Sequence, residues 1–240
     1  MTSISDGPVF SNVKPVGANL SALSVAPAGG GRMRVVVLPG IHGRTPHILQ
    51  VCQRLANHGY EAIVADFYCT AAQRGEIRTP ADIGVAAAAL NHEEITSSVV
   101  DLVDSLSESK PTAVLGYCVG GAIGLLAAGR TDAVTATVAY YGVLRTDPPV
   151  PGRPDAIEAA GKITSPVLAH YGTTDIWCSS HDIDDLEASL AGSGSAYQIY
   201  RYPGAGHAFE ETESAGFRPV AAADAARRTL AFLDHYAGRR

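Results

Sequence analysis

Gly116-Tyr117-Cys118-Val119-Gly120-Gly121 joins a short, partly β-branched run, Pro111-Thr112-Ala113-Val114-Leu115, to an apolar run, Ala122-Ile123-Gly124-Leu125-Leu126-Ala127-Ala128. The first run predicts a buried strand and the second a packed helix. A G-x-nucleophile-x-G turn between strand and helix needs its glycines for steric reasons. The nucleophile's backbone is strained, and side chains at the flanking positions would collide with the neighbouring strand and helix. Cys118 therefore sits at a predicted helix N-terminus, where the local dipole favours a thiolate. The alternative is a buried structural cysteine in a tight strand-to-helix turn.

Outward from this turn, strands and helices alternate. Arg34 to Leu38 predicts a buried strand stopped by Pro39-Gly40, and Pro46 to Asn57 a helix closed by His58-Gly59. Tyr60 to Ala65, Ala133 to Tyr140, Ser165 to Tyr171 and Ala196 to Tyr202 read as further strands. His92 to Ser107, His181 to Leu190 and Phe217 to Tyr236 read as helices. Ala18 to Ala26 suits an edge strand before the Gly29-Gly30-Gly31 turn, and residues 1–15 an irregular lead-in. Residues 67–90 suit a loop with a short helix, of the length that often serves function, and 146–154 a proline-rich loop. Such alternation predicts an α/β fold: one mostly parallel twisted sheet with helices on both faces, in a single domain over residues 16–240.

Composition narrows the function. With 240 residues, 46% of them hydrophobic, the chain can bury one large core. A formal charge of −6, with no basic run beyond Arg227-Arg228 and Arg239-Arg240, argues against nucleic acid as a partner. No apolar stretch is long enough to span a bilayer, and the first residues lack the features of a signal peptide, so a cytoplasmic location is expected. The four cysteines are widely spaced, which fits neither a disulfide framework nor a structural zinc site. Asn91-His92-Glu93-Glu94 resembles the first half of a metalloprotease motif, but Thr96 stands where the second histidine is needed.

A thiol nucleophile needs a base, and the base an orienting acceptor. Asp175 follows the strand that ends near Tyr171, and His207 follows the last strand, in Tyr202-Pro203-Gly204-Ala205-Gly206-His207-Ala208-Phe209. Taken singly, each is an ordinary turn aspartate or exposed loop histidine. Together with Cys118 they follow the order nucleophile, acid, histidine, each after a strand. In this reading Cys118 attacks an acyl carbonyl, His207 moves the proton, and Asp175 fixes the imidazole. The Val119 N–H supplies half of an oxyanion hole. The Ile41 N–H, in Pro39-Gly40-Ile41-His42-Gly43, supplies the other half, although that loop also reads as a plain Pro-Gly strand stop.

The elbow, the Gly172-Thr173-Thr174-Asp175 turn, the histidine loop and the strand end Ala65-Asp66-Phe67-Tyr68 resemble the dienelactone hydrolase family over residues 16–236. The resemblance implies an α/β-hydrolase fold without a large cap, a Cys-His-Asp triad, no metal or cofactor, and opening of a small lactone through an acyl-enzyme. Two positions depart from the family's founding enzymes. Gly40 stands where they carry a glutamate that keeps the thiol protonated, so Cys118 and His207 are expected to rest as a thiolate–imidazolium pair. Glu211 stands where they carry an arginine for the substrate carboxylate, so the dienelactone itself is not the expected substrate. Arg74 or Arg78 could replace that arginine, or simply be solvated.

His42, Tyr117, Tyr141, Trp177, Phe209 and Glu211 are the remaining candidates for the pocket wall. The expected ligand is a small ester, lactone or thioester, with no membrane partner and a monomer or homodimer as the assembly. A thioesterase or cyclase acting on an acyl chain, and a non-catalytic binding protein on the same fold, stay open as alternatives.

Overall fold

Valines at 35, 36 and 37 sit in a strand whose successive side chains enter two different cores, and this organises the molecule. The computed structural model describes residues 9–13, 20–68, 80–145 and 153–238. Eight strands form one sheet: β1 Ser11–Val13, β2 Ser21–Val25, β3 Arg34–Leu38, β4 Glu61–Asp66, β5 Thr112–Tyr117, β6 Val134–Tyr140, β7 Val167–Gly172 and β8 Tyr197–Tyr202. Their spatial order is β1-β2-β4-β3-β5-β6-β7-β8. The first two pairings, β1 with β2 and β2 with β4, are antiparallel, and the other five are parallel.

Seven helices are described: α1 Pro46–Asn57, α2 Pro80–Ala88, α3 His92–Ser107, α4 Val119–Ala128, α5 Ala156–Ala160, α6 Ser180–Ser193 and α7 Pro219–Tyr236. Val36, Leu38 and Val114 pack with apolar residues of α3, α4, α5 and α6 on one face. Val35, Val37, Ala113 and Leu115 pack with α1 and α7 on the other. The period of two along each strand therefore delivers both cores, which is why these strands read as unbroken apolar runs. Helix α4 is buried along its entire length. That accounts for a helix with almost no polar side chain.

The expected strands and long helices stand within a few residues of their predicted limits. Two expectations at the N-terminal side are corrected. Ser11–Val13, assigned to the irregular lead-in, pairs with Ala22–Ser24. The Ala18 to Ala26 strand consequently lies one place in from the edge, because β1 covers the hydrogen-bonding groups that β2 would otherwise expose. Helix α5 was unforeseen; it has five residues, and Asp155 caps it by accepting from the Ile157 and Glu158 N–H groups.

Candidate active site

Chain direction changes sides in the sheet at β3. From β3 the chain crosses to β4 on one flank, then returns to β5 on the other. A crevice opens at the carboxyl ends of strands at such a reversal. Pairing of Leu38 with Gly116 sets the loop after β3 directly beside the turn after β5.

Cys118 occupies that turn with φ 53° and ψ −117°, a backbone conformation that L-residues rarely adopt. The flanking glycines explain how the chain tolerates it. A Cβ on Gly116 would lie 2.0 Å from the Gly120 carbonyl oxygen, and one on Gly120 would lie 2.3 Å from the Leu38 carbonyl oxygen. Strand, helix and the β3 loop thus meet backbone to backbone, holding Cys118 at the first turn of α4. Among the described residues, neither the Ile41 nor the Val119 N–H takes part in a backbone hydrogen bond. Both residues line the same cavity as Cys118.

The base and the acid arrive from the neighbouring strands. Gly172 pairs with Tyr202 at the ends of β7 and β8, and the Thr174 N–H donates to the Ala205 carbonyl at 2.9 Å. This ties the turn bearing Asp175 to the loop bearing His207. His207 Nδ1 and Asp175 Oδ2 are 2.8 Å apart, with the carboxylate fully buried. Asp175 Oδ1 accepts from the Trp177 N–H at 2.8 Å, which fixes the carboxylate from its other side. His207 also lies within electrostatic reach of the Cys118 side chain. Burial works to lower the His207 pKa, but the charge at Cys118 and the Asp175 hydrogen bond outweigh it and push the imidazole up to about 10.

The cavity over this group has a volume of about 770 Å³, a size suited to a small molecule. Its wall includes His42, Trp177 and Glu211 from the expected set. Trp177 is half exposed at the rim, with its ring 6.5 Å from that of His207. Burial pushes the Glu211 carboxyl up, against the pull of His47 and His207.

Tyr117, Tyr141 and Phe209 are instead buried in the core. Tyr117 alternates with Ala113 and Leu115 onto the α1/α7 face, where it stacks on Tyr140 at 4.8 Å. Tyr141 backs the His207 ring edge-on at 5.1 Å and Phe209 packs behind Tyr141, so both support the histidine from within the core. Arg74 and Arg78 lie outside the described residues. Among the described residues no cluster of acidic, histidine and cysteine side chains could hold a metal ion. No helix among them is long and apolar enough to cross a membrane.

The dienelactone hydrolase family model matches residues 20–237, nearly all of the chain. The chain belongs to the dienelactone hydrolase family. Membership makes it a hydrolase of the lactone and ester type. A Bradyrhizobium protein described as a "probable 2-oxo-3-(5-oxofuran-2-ylidene)propanoate lactonase" is 31% identical, with 93% of each chain covered. Carboxymethylenebutenolidase of Rhodococcus opacus is 33% identical over 84% of this chain and 81% of its own. The crystal structure of a candidate dienelactone hydrolase from Klebsiella pneumoniae superposes with a TM-score of 0.84 at 24% identity. It covers 96% of this chain and the whole of the Klebsiella one, and it supports the fold.

Within this dienelactone hydrolase fold, several wall residues escaped the sequence reading. Arg44 is engaged by Asp66 at 3.1 Å. His47 lies 2.7 Å from the buried Glu210 carboxylate, though not aligned for a hydrogen bond, and Arg54 pairs the same carboxylate at 2.8 Å. His92, set aside as half of a failed metal motif, lines the cavity from the first turn of α3. Arg153 lines it from the segment between β6 and α5.

Proposed function

We propose that this protein opens a lactone or small ester by thiol catalysis, with Cys118, His207 and Asp175 acting as a triad. The observation that carries the reading is the conjunction at Cys118. A thiol held at positive φ on a strand-to-helix turn lies within electrostatic reach of an imidazole whose Nδ1 meets a buried carboxylate.

The Cys118 sulfur attacks the acyl carbon as thiolate, and an S–C bond forms. The carbonyl electron pair moves onto oxygen, which the Ile41 and Val119 N–H groups receive. Collapse breaks the bond to the leaving oxygen, which takes the proton from the His207 imidazolium. A thioester remains on Cys118. Water then gives its proton to His207 and its oxygen to the acyl carbon, the C–S bond breaks, and the thiolate–imidazolium pair is restored with release of the acid. Asp175 holds the imidazole tautomer throughout and stabilises its charged form. The Bradyrhizobium relative carries a lactonase name and the Rhodococcus opacus one the name carboxymethylenebutenolidase, and a lactone fits this scheme because its leaving oxygen stays tethered to the acyl group. Glu211 on the cavity wall favours substrates other than the family's dienelactone.

Intact-protein mass spectrometry after brief exposure to activated esters and lactones tests the reading. The wild type should gain an acyl mass that the Cys118→Ala protein does not, with product release lost in parallel. Turnover that survives Cys118→Ala would overturn the thiol role.

A further inference from the structure

Among the described residues five large apolar side chains stand exposed, and three of them are single valines in different parts of the chain: Val9 before β1, Val85 on α2 and Val220 on α7. The other two are neighbours, Ile176 at 86% exposure and Trp177 at 51%. Scattered apolar residues on a surface need no explanation, whereas an adjacent isoleucine and tryptophan do. Their exposure is not that of a loose loop. On one side the Asp175 carboxylate is fully buried against His207. On the other Cys178 is buried, and Ser179 caps α6 through a reciprocal pair of hydrogen bonds with Asp182. Arg145 grips Asp182 in turn at 2.7 Å. Ile176 and Trp177 are thus displayed between two anchored residues, and their apolar surface stays in water.

The indole is also fixed relative to the reacting groups. The Trp177 N–H donates to Asp175 Oδ1 at 2.8 Å, and the ring meets that of His207 at 6.5 Å and 63°. Trp177 therefore lines the cavity that holds Cys118 from the His207 side. An acyl carbon at Cys118 carries a carbonyl oxygen, a leaving oxygen and an acyl substituent. The carbonyl oxygen turns to the Ile41 and Val119 N–H groups. The leaving oxygen must turn to His207 to receive its proton. Whatever is attached to the leaving oxygen lies closest to Trp177.

We propose that Trp177 determines specificity on the leaving side of the substrate, receiving an aryl group attached to the carbon that bears the leaving oxygen. The proposal rests on reading Cys118 and His207 as the reacting pair. The indole offers a flat apolar face and a polarised edge, on which a second aromatic ring packs offset or edge-on. Ile176 beside it extends the apolar lip outwards. The substrate class is then a lactone with an aryl group at its oxygen-bearing carbon, or the ester of an arylmethyl alcohol.

Two isomeric lactones separate the position of the ring from its hydrophobicity. 5-Phenyloxolan-2-one carries its phenyl group beside the leaving oxygen, and 3-phenyloxolan-2-one carries it beside the acyl carbon. Trp177 is the only tryptophan of the chain, so the emission of the protein reports on this one side chain. In the Cys118→Ala protein the 5-phenyl isomer should move that emission to shorter wavelength along a saturable curve. Its affinity should exceed that of the 3-phenyl isomer by roughly threefold to tenfold, the range of an aromatic pair. Isothermal titration in the same background should show that Trp177→Ala removes this preference and Trp177→Phe keeps part of it. Both variants retain the backbone N–H that holds Asp175. Val220→Ser, a change of exposed apolar surface on α7, should leave the preference as it was. Circular dichroism would establish that each variant is folded. Equal affinity for the two isomers, a preference that survives Trp177→Ala, saturable binding with unchanged emission, or no binding at millimolar concentration would each overturn the aryl site. If the Trp177-dependent preference appears while no acyl adduct forms on the wild type, the aryl site stands and the thiol mechanism falls. An adduct without the preference leaves the thiol mechanism and overturns the aryl site.

Discussion

Replacing Gly120 by alanine tests whether the elbow and the β3 loop work as one unit. The added Cβ would meet the Leu38 carbonyl oxygen at 2.3 Å, the Pro39 carbonyl oxygen at 2.5 Å and the Leu38 carbonyl carbon at 2.6 Å. All three are backbone atoms, so no rotamer change relieves the overlap. Contacts under 3.0 Å essentially do not occur for real Cβ atoms, so α4 and the end of β3 must separate by at least about 0.7 Å. Val119 rides on α4 and Ile41 on the loop after β3, so the two N–H groups move apart by a similar distance. A displacement approaching 1 Å in a reacting site costs on the order of 10²-fold in rate, and overpacking costs about 1–3 kcal/mol in stability. Gly124→Ala on the same helix is the control. Its Cβ meets only side-chain atoms, Val114 Cγ1 at 3.2 Å and Leu38 Cδ1 at 3.9 Å, and alanine restores up to about 1 kcal/mol of helix propensity. Hydrolysis of 4-nitrophenyl acetate, with urea denaturation in parallel, should show kcat/KM falling about 10²-fold in Gly120→Ala while Gly124→Ala stays near wild type. A folded Gly120→Ala protein with unchanged kcat/KM would refute the coupling of elbow and loop.

Iodoacetamide labelling of Cys118 at pH 7 should slow at least about tenfold in His207→Ala, because the proposed triad loses its base. Cys52 and Cys178 are buried with their thiols pushed up by desolvation, so they should contribute little to the signal; equal rates in the two proteins would refute the pairing. Acid stability should follow His170, which is fully buried between Tyr202 Oη at 3.0 Å and Thr229 Oγ1 at 3.1 Å, and whose pKa burial pushes down to about 3 from 6.5. The unfolded chain binds that proton first, so unfolding free energy should drop by about 1.4 kcal/mol per pH unit from this group between pH 6.5 and 3. Urea titrations should show a shallower dependence in His170→Gln, and an unchanged slope would refute the assignment.

Legibility of this chain in its sequence followed the range of the forces involved. The elbow could be read because its constraints are local: an apolar run, glycines at fixed offsets and a helix start fall within about a dozen residues. The Asp175–His207 pair could be read because both follow strands that the alternation had already placed at one end of a parallel sheet. Tyr117 shows the limit. It precedes Cys118 by one residue, yet strand alternation sends its ring through to the other face of the sheet, so nearness in sequence gave the wrong neighbour. Arg153 and His92 were illegible for the opposite reason. They are 61 residues apart in the chain, and only the fold brings them to one cavity.

Glu210 and Glu211 show why charge counted along the chain is a poor guide to charge in the pocket. Read as neighbours, the two acids look like one negative patch facing the substrate. Folded, Glu210 turns inward to 3% exposure and is neutralised by Arg54, which leaves it a structural anion under the tyrosine cluster. Glu211 and Glu213 line the cavity, and burial pushes the Glu211 carboxyl up. The carboxylates that an anionic ligand meets on this segment are therefore those of Glu211 and Glu213, and not that of Glu210.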